Sequence, residues 1–178
     1  RLVTQMKGGG RTSLHAQELA AAVLANLSDL PDCVQQIVQV GGVRPLVGML
    51  SSGSPATAHA AAVLSALARS SVRNQRLLVS DGAITPLVNL LTREQRLKAK
   101  AEAAGAIECL CRGQRATQRA VAEAGGIKPL IQLLSEVEPS CLTKAAGALA
   151  ALCEGFEDNQ NAVERAKGIG KLVGLLGP

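Results

Sequence analysis

Aromatic residues are almost missing from this chain: Phe156 stands alone, with no Trp or Tyr among 178 residues. Cores of β-sandwiches concentrate aromatic and β-branched side chains, so the scarcity argues against such a fold. It also removes the stacking platforms on which single-stranded nucleic acid is held. Histidine is scarce as well, with only His15 and His59. The five cysteines (Cys33, Cys109, Cys111, Cys141 and Cys153) are odd in number and irregularly spaced, with no C-x-x-C pair. That pattern fits neither a disulfide framework nor a metal site, and reads as buried thiols in a reducing compartment. Apolar stretches are all broken by a charge or a glycine well before the ~18 residues of a transmembrane span. No secretory leader pattern opens the chain.

Catalytic signatures are missing too. There is no G-x-S-x-G elbow, phosphate loop, H-E-x-x-H or dinucleotide fingerprint. Gly8–Gly10 lacks the following Lys-Ser/Thr of a phosphate loop and reads as the loop before a helix. Cys109 and Cys111 lie two apart on one helix and point in different directions. A cysteine nucleophile needs a histidine partner, which leaves Cys109 with His59 as the arrangement still open. The expectation is a non-enzyme with no cofactor and no metal.

Small apolar residues and a repeat are what the chain does contain. Hydrophobic residues make up 47% of it, and a ten-residue phrase occurs four times: GGVRPLVGML from Gly41, DGAITPLVNL from Asp81, GGIKPLIQLL from Gly125 and KGIGKLVGLL from Lys167. Taking Gly42, Gly82, Gly126 and Gly168 as equivalent gives offsets of 40, 44 and 42 residues. A period in this range marks a solenoid of stacked units.

Each phrase opens a medium helix. Val43, Leu46, Val47 and Leu50 show the i, i+3, i+4, i+7 spacing of one helix face, and the other three copies repeat it. Pro45, Pro86 and Pro129 fall in the first turn, where the missing N–H costs nothing. Long Ala-rich helices follow, predicted from Ala16, Ala56, Lys98 and Thr143. On each, a pair of large residues such as Leu64 and Leu67 lies beside a small stripe at Ala20, Ala60, Ala103 and Ala145, which lets neighbouring helices approach closely. Short helices are predicted over Asp32–Val40, Asn74–Ser80, Thr117–Ala124 and Asn159–Ala166. SSGSP from Ser51 and SEVEPS from Ser135 read as turns between medium and long helices.

This unit resembles the armadillo repeat, and NQRLLVSDGAITPLVNLL from Asn74 and TQRAVAEAGGIKPLIQLL from Thr117 carry the resemblance most closely. It implies an all-α, right-handed α-solenoid with three helices per repeat of about 42 residues. The expected divisions of one array are a partial repeat over 1–30, repeats over 31–71, 72–113 and 114–155, and a partial repeat over 156–178. Neither end shows a polar cap, so the expectation is a segment of a longer chain or complex.

The resemblance also implies that the long helices line a concave groove for a partner peptide or helix. In importin-α-like members, an Asn ladder clamps the peptide backbone and Trp residues four positions earlier form slots. Here the Asn column reads Asn26, Ala66, Cys109 and Ala151, and the Trp column reads Ala22, Ala62, Gly105 and Gly147. Only Asn26 survives, so capture of a basic signal in that style is not expected. Asn26 has a second reading, as a residue that caps or turns the end of its helix. Two further columns on this face read Leu19, His59, Glu102, Lys144 and His15, Pro55, Lys98, Ser140. The groove is therefore expected to be smooth near the ladder and mixed in charge further out, with Leu19, Asn26, His59, Lys98, Glu102 and Lys144 as candidate contacts.

Net charge is +5, with +3 from residues 1–92 and +2 from 93–178, a mild and spread excess. One basic cluster stands out: Arg93, Arg96, Lys98 and Lys100 at the start of a long helix, with Arg112, Arg115 and Arg119 beyond its end. It offers a second function, electrostatic binding of an acidic peptide, RNA or an anionic membrane surface. Lack of aromatic platforms favours a protein partner over nucleic acid. A third reading is the non-catalytic arm of a larger enzyme such as a ubiquitin ligase. The location expected for such a scaffold is intracellular and cytoplasmic, with nuclear or cytoskeletal association open.

Overall fold

A computed structural model describes residues 13–92 and 96–177. The described residues form twelve helices and no strand. In chain order they are α1 (Leu14–Leu27), α2 (Pro31–Gln39), α3 (Val43–Met49), α4 (Ala56–Ser70), α5 (Val72–Ser80) and α6 (Ile84–Thr92). Then follow α7 (Leu97–Cys111), α8 (Arg115–Glu123), α9 (Ile127–Leu133), α10 (Pro139–Cys153), α11 (Glu157–Arg165) and α12 (Gly168–Gly174). None is long and apolar enough to cross a membrane.

The unit is a nine-residue helix, then a helix of seven or nine residues opened by the glycine phrase, then a long helix of fourteen or fifteen. The helix read from sequence as medium is therefore no longer than the short one, because the closing turn after it comes within two turns of its start. The long helices α1, α4, α7 and α10 pack side by side in that order, and each of α4, α7 and α10 also rests on the glycine-opened helix before it. The main packing thus joins nearest neighbours along the stack, as in a solenoid. The small stripe lies in these contacts: Ala60, Ala103 and Ala145 are fully buried, and Leu64, Leu67, Ile107 and Leu110 fill the layer beneath. Small residues let the helices close up, and the larger ones supply the apolar area that holds the layer together, about 25 cal/mol per Å² removed from water.

The glycine phrase turns out to be a helix stop joined to a helix start. Gly41 has φ +72°, Gly82 +78° and Gly125 +84°, all left-handed. The N–H of Gly41 donates to Val38 (3.0 Å) and that of Gly42 to Ile37 (2.8 Å). Gly82 with Ala83, and Gly125 with Gly126, repeat the pair of bonds. This is the Schellman arrangement that ends a helix by satisfying its last carbonyls. It corrects the register read from sequence. The equivalent left-handed positions are Gly41, Gly82, Gly125 and Lys167, so Gly82 corresponds to Gly41 and not to Gly42. The fourth copy uses Lys167 at φ +58°. The second residue, Gly42, Ala83, Gly126 or Gly168, needs smallness. A Cβ on Gly126 would meet Val121 Cγ1 at 2.8 Å, and one on Gly168 would meet Val163 Cγ1 at 2.7 Å.

Several predicted helix starts move. Helix α10 starts at Pro139, four residues before the expected Thr143, because Pro139 serves as a first-turn residue and not as part of the preceding turn. The short helices α5, α8 and α11 begin two residues early. At α5 the reason is visible: Ser71 accepts the Asn74 N–H at 3.2 Å as an N-cap.

Candidate partner-binding groove

Side chains on the short helices fix the ends of the long ones. Gln118 on α8 donates to the carbonyls of Ala151 (2.7 Å) and Glu154 (3.1 Å) at the end of α10. Asn159 on α11 donates to Leu152 (2.8 Å), and Gln160 donates to Cys153 (2.9 Å). Gln75 on α5 does the same for α4 through Ala68 (3.0 Å). Carbonyls in the last turn of a helix have no partner within it, so these amides tie the ends of α4 and α10 to neighbouring elements.

The open face of the long helices carries two adjoining depressions. One, about 350 Å³, is lined by Ala25, Ser28 and Asp29 from the α1 end, Ala62, Ser65, Ala66 and Arg69 from α4, Glu102, Gly105, Glu108, Cys109 and Arg112 from α7, and Lys144 from α10. The second, about 650 Å³, shares Glu108 and Arg112 and continues over Gly147, Ala150, Ala151, Cys153 and Glu154. Together they form a groove across four long helices.

Charged side chains occupy its C-terminal half. Lys144 reaches from α10 to Glu102 on α7, Nζ to Oε1 2.7 Å. On the way its Cδ lies 3.3 Å from where a Cβ on Gly105 would sit. Glu108 pairs with Arg112 one turn on, and its Oε2 lies 2.5 Å from the Cβ position of Gly147. The groove is therefore not smooth beside the ladder column. The two glycines leave room for ion-paired side chains from adjacent helices: Lys144, expected further out, over Gly105, and Glu108 over Gly147.

Of the candidate contacts, Glu102 and Lys144 are joined directly. Lys98 is exposed one turn before Glu102 on α7, His59 is half-buried on α4, and Leu19 is 53% exposed on α1. Asn26 is exposed but does not line the depression, whose α1 wall is Ala25, Ser28 and Asp29. Nor is Asn26 the cap of α1: Ser28 takes that place, its hydroxyl donating to Ala25 at 2.7 Å. Sequence reasoning missed Asp29, Ser65, Arg69 and Glu108. They occupy the columns three residues after and one before the ladder, and inspection of every column on the face would have found them.

The basic cluster falls at the two ends of α7, as its sequence position implies. Arg93 lies outside the described residues. Arg96, Lys98 and Lys100 stand at the start of α7, and Arg112, Arg115 and Arg119 at or beyond its other end. Helix α7, fifteen residues long, carries the two groups at its opposite ends, about 18–24 Å apart. Arg112 pairs with Glu108 one turn before it and keeps most of its side chain exposed. Arg115 and Arg119 rest on the ring of Phe156, 5.2 and 5.7 Å from its centroid, and Arg115 donates to the Gly155 carbonyl at 3.0 Å. The single aromatic residue thus anchors two of the cations by cation–π contact.

All five cysteines are thiols. Burial pushes Cys111 up to about 12. Burial, followed by Glu108, also raises Cys109, while Arg69, Arg112 and Lys144 pull it the other way. A raised thiol is a poor nucleophile at neutral pH. His59 lies seven residues before the ladder column of its helix and Cys109 lies in that column, an offset of about 10 Å along parallel axes. Among the described residues no group of His, Cys, Asp and Glu is placed to hold a metal ion.

Comparison with known proteins agrees on the architecture. The family model for the SIL1/FES1/HPBP1 C-terminal domain matches residues 33–158. A computationally designed armadillo repeat protein for modular peptide recognition superposes with TM-score 0.87 at 25% identity, over 98% of this chain and 72% of that one. Two engineered proteins give TM-scores of 0.87 and 0.86 at 26% and 29% identity, covering 98% of this chain and 73% and 71% of theirs. No individually curated protein matches the sequence. The fold is the armadillo-type α-solenoid expected from the repeat.

Proposed function

Because the chain belongs to the SIL1/FES1/HPBP1 C-terminal domain family and folds as an armadillo-type solenoid, we propose that it is a non-catalytic protein-interaction scaffold that takes a partner segment along its long-helix groove. The observation that carries this reading is the continuous groove over α1, α4, α7 and α10, with ion-paired side chains seated over Gly105 and Gly147. A rigid wall with fixed charges recognises a partner without rearranging, which keeps the ordering cost of binding low. Support also comes from the designed armadillo relative made for modular peptide recognition. The repeat divisions at 31–71, 72–113 and 114–155 fit this reading, each adding one long helix to the groove. A reducing, intracellular setting fits its five thiols.

Peptides selected from a random display library against the chain provide the test. Reversing charge at Lys98, Glu102 and Lys144 together is expected to abolish their binding while circular dichroism stays unchanged. Unaltered binding would remove the groove from the account. Salt titration separates the electrostatic alternative, because a nucleic-acid complex weakens steeply with salt.

A further inference from the structure

One column of the groove has a charge order of its own. The residue three positions beyond the ladder column is Asp29, Arg69, Arg112 and Glu154 on the four successive long-helix ends. All four are exposed. Asp29, Arg69 and Arg112 line the first depression, and Arg112 and Glu154 line the second. The row therefore runs acid, base, base, acid across the groove.

Helix stability does not account for this order. The C-terminal end of a helix carries partial negative charge and favours cations. Arg69 and Arg112 obey that preference, whereas Asp29 and Glu154 stand against it at the ends of α1 and α10. Internal pairing does not account for it either. Among the described residues, Arg69, Asp29 and Glu154 form no ion pair, and only Arg112 has a partner, Glu108 on its own helix. Arg69 from α4, Arg112 at the end of α7 and Lys144 from α10 all line the first depression, together with the carboxylates Glu102 and Glu108. Lys144 is met by Glu102, which leaves Arg69 as the uncompensated cation in the middle of the groove.

We propose that the groove's occupant is an extended peptide segment charged in the complementary order, basic–acidic–acidic–basic, with its two acidic side chains meeting Arg69 and Arg112. This deepens the scaffold reading and rests on it. Packed helices lie about 8–10 Å apart, and an extended chain advances about 3.3 Å per residue, so neighbouring charges of the peptide fall about three residues apart. The order reads the same from either end, so it holds whichever way the peptide runs. Asp29 and Glu154 repel a uniformly anionic strand, which sets this partner apart from RNA.

Fluorescence anisotropy on the 178-residue chain tests the proposal with two labelled peptides of identical composition. One is Lys-Ala-Ala-Glu-Ala-Ala-Glu-Ala-Ala-Lys, and the other is Glu-Ala-Ala-Lys-Ala-Ala-Lys-Ala-Ala-Glu. At low ionic strength the first is expected to bind at least about 10-fold more tightly. The four-fold variant Asp29→Lys, Arg69→Glu, Arg112→Glu, Glu154→Lys is expected to invert the preference. A circular dichroism melt confirms that the variant is folded. Equal binding, no binding of either peptide, or an unchanged preference in the variant would overturn the charge order. Library-selected peptides that lose binding on charge reversal at Lys98, Glu102 and Lys144, yet show no such order, would leave the groove reading standing without this inference. Insensitivity of those peptides to that reversal would remove both.

Discussion

The α4–α7 and α7–α10 junctions are built from the same repeat and finished differently. At the first, the column four before the ladder is Ala62, beside Ser65 and Ala66, and the guanidinium of Arg69 stands unpaired. At the second, Gly105 and Gly147 replace alanine, and charged side chains fill the space above them. The buried side of both junctions is alike, with Leu64 and Leu67 answered by Ile107 and Leu110, then by Leu149 and Leu152. Helix packing fixes the buried layer in every unit, while the open face is free to vary, and there a change of one methyl group decides where a neighbour's charge can lie.

The sharpest contrast is chemical. Cys111 and Cys153 hold the same position on α7 and α10, but Cys111 is fully buried and Cys153 half-exposed at the groove's end. Both thiols are raised by burial, Cys111 to about 12. Iodoacetamide at pH 8 should label Cys153 at least about 10-fold faster than Cys111, since the thiolate is the nucleophile, and peptide mapping by mass spectrometry reads the ratio. Equal rates would mean that the two ends are equally closed. The same burial gives a pH dependence. A folded thiol that ionises near 12 instead of 9 holds its proton after the unfolded chain has lost it. Stability from Cys111 is full below pH 9 and declines as pH rises from there toward 12, and urea titrations across that range would record the decline.

Leu67→Ala and Leu110→Ala should each cost about 2–5 kcal/mol, and by similar amounts, because both side chains are fully buried in equivalent layers. Urea denaturation followed by circular dichroism measures this, and a large inequality would break the claim that the buried side is alike. Gln118→Ala comes next. It frees two carbonyls at the end of α10 from a buried donor and should cost about 1–3 kcal/mol. Gln75→Ala removes one half-buried bond to Ala68, and its cost should be about 0.5–1 kcal/mol in the same assay.

The scaffold was legible in the sequence because it repeats. Four copies of one face, as in Val43, Leu46, Val47 and Leu50, could be superposed, and chance does not supply that. Register within the phrase was less legible. Two adjacent glycines look interchangeable in letters, but one takes a positive φ and the other yields space to a valine. DGA from Asp81 contains only the first kind. The groove was half legible: Glu102 and Lys144 lay in one column and pair, whereas Glu108 over Gly147 depends on how far a side chain reaches across to the next helix. The placing of the basic residues at the two ends of one long helix was legible, whereas the seating of Arg115 and Arg119 on Phe156 joins residues about forty positions apart and was not.

The smallest effect concerns the glycines themselves. Gly105→Ala would gain helix propensity of about 0.8–1 kcal/mol against a 3.3 Å contact with the flexible Lys144 stem. The expected net is a slight rise in melting temperature, with weaker binding of groove ligands. A fall in melting temperature would mean that Gly105 serves helix packing and not the seating of Lys144.

The central claim is that the partner lies along the long helices, and site-specific photo-crosslinking tests it most directly. A photo-reactive amino acid would replace Ala150, exposed on α10 inside the groove, or Gln132, exposed on the seven-residue helix α9. With a labelled library-selected peptide, the account predicts crosslinks from position 150 and none from 132. Crosslinks from 132 with none from 150 would contradict it.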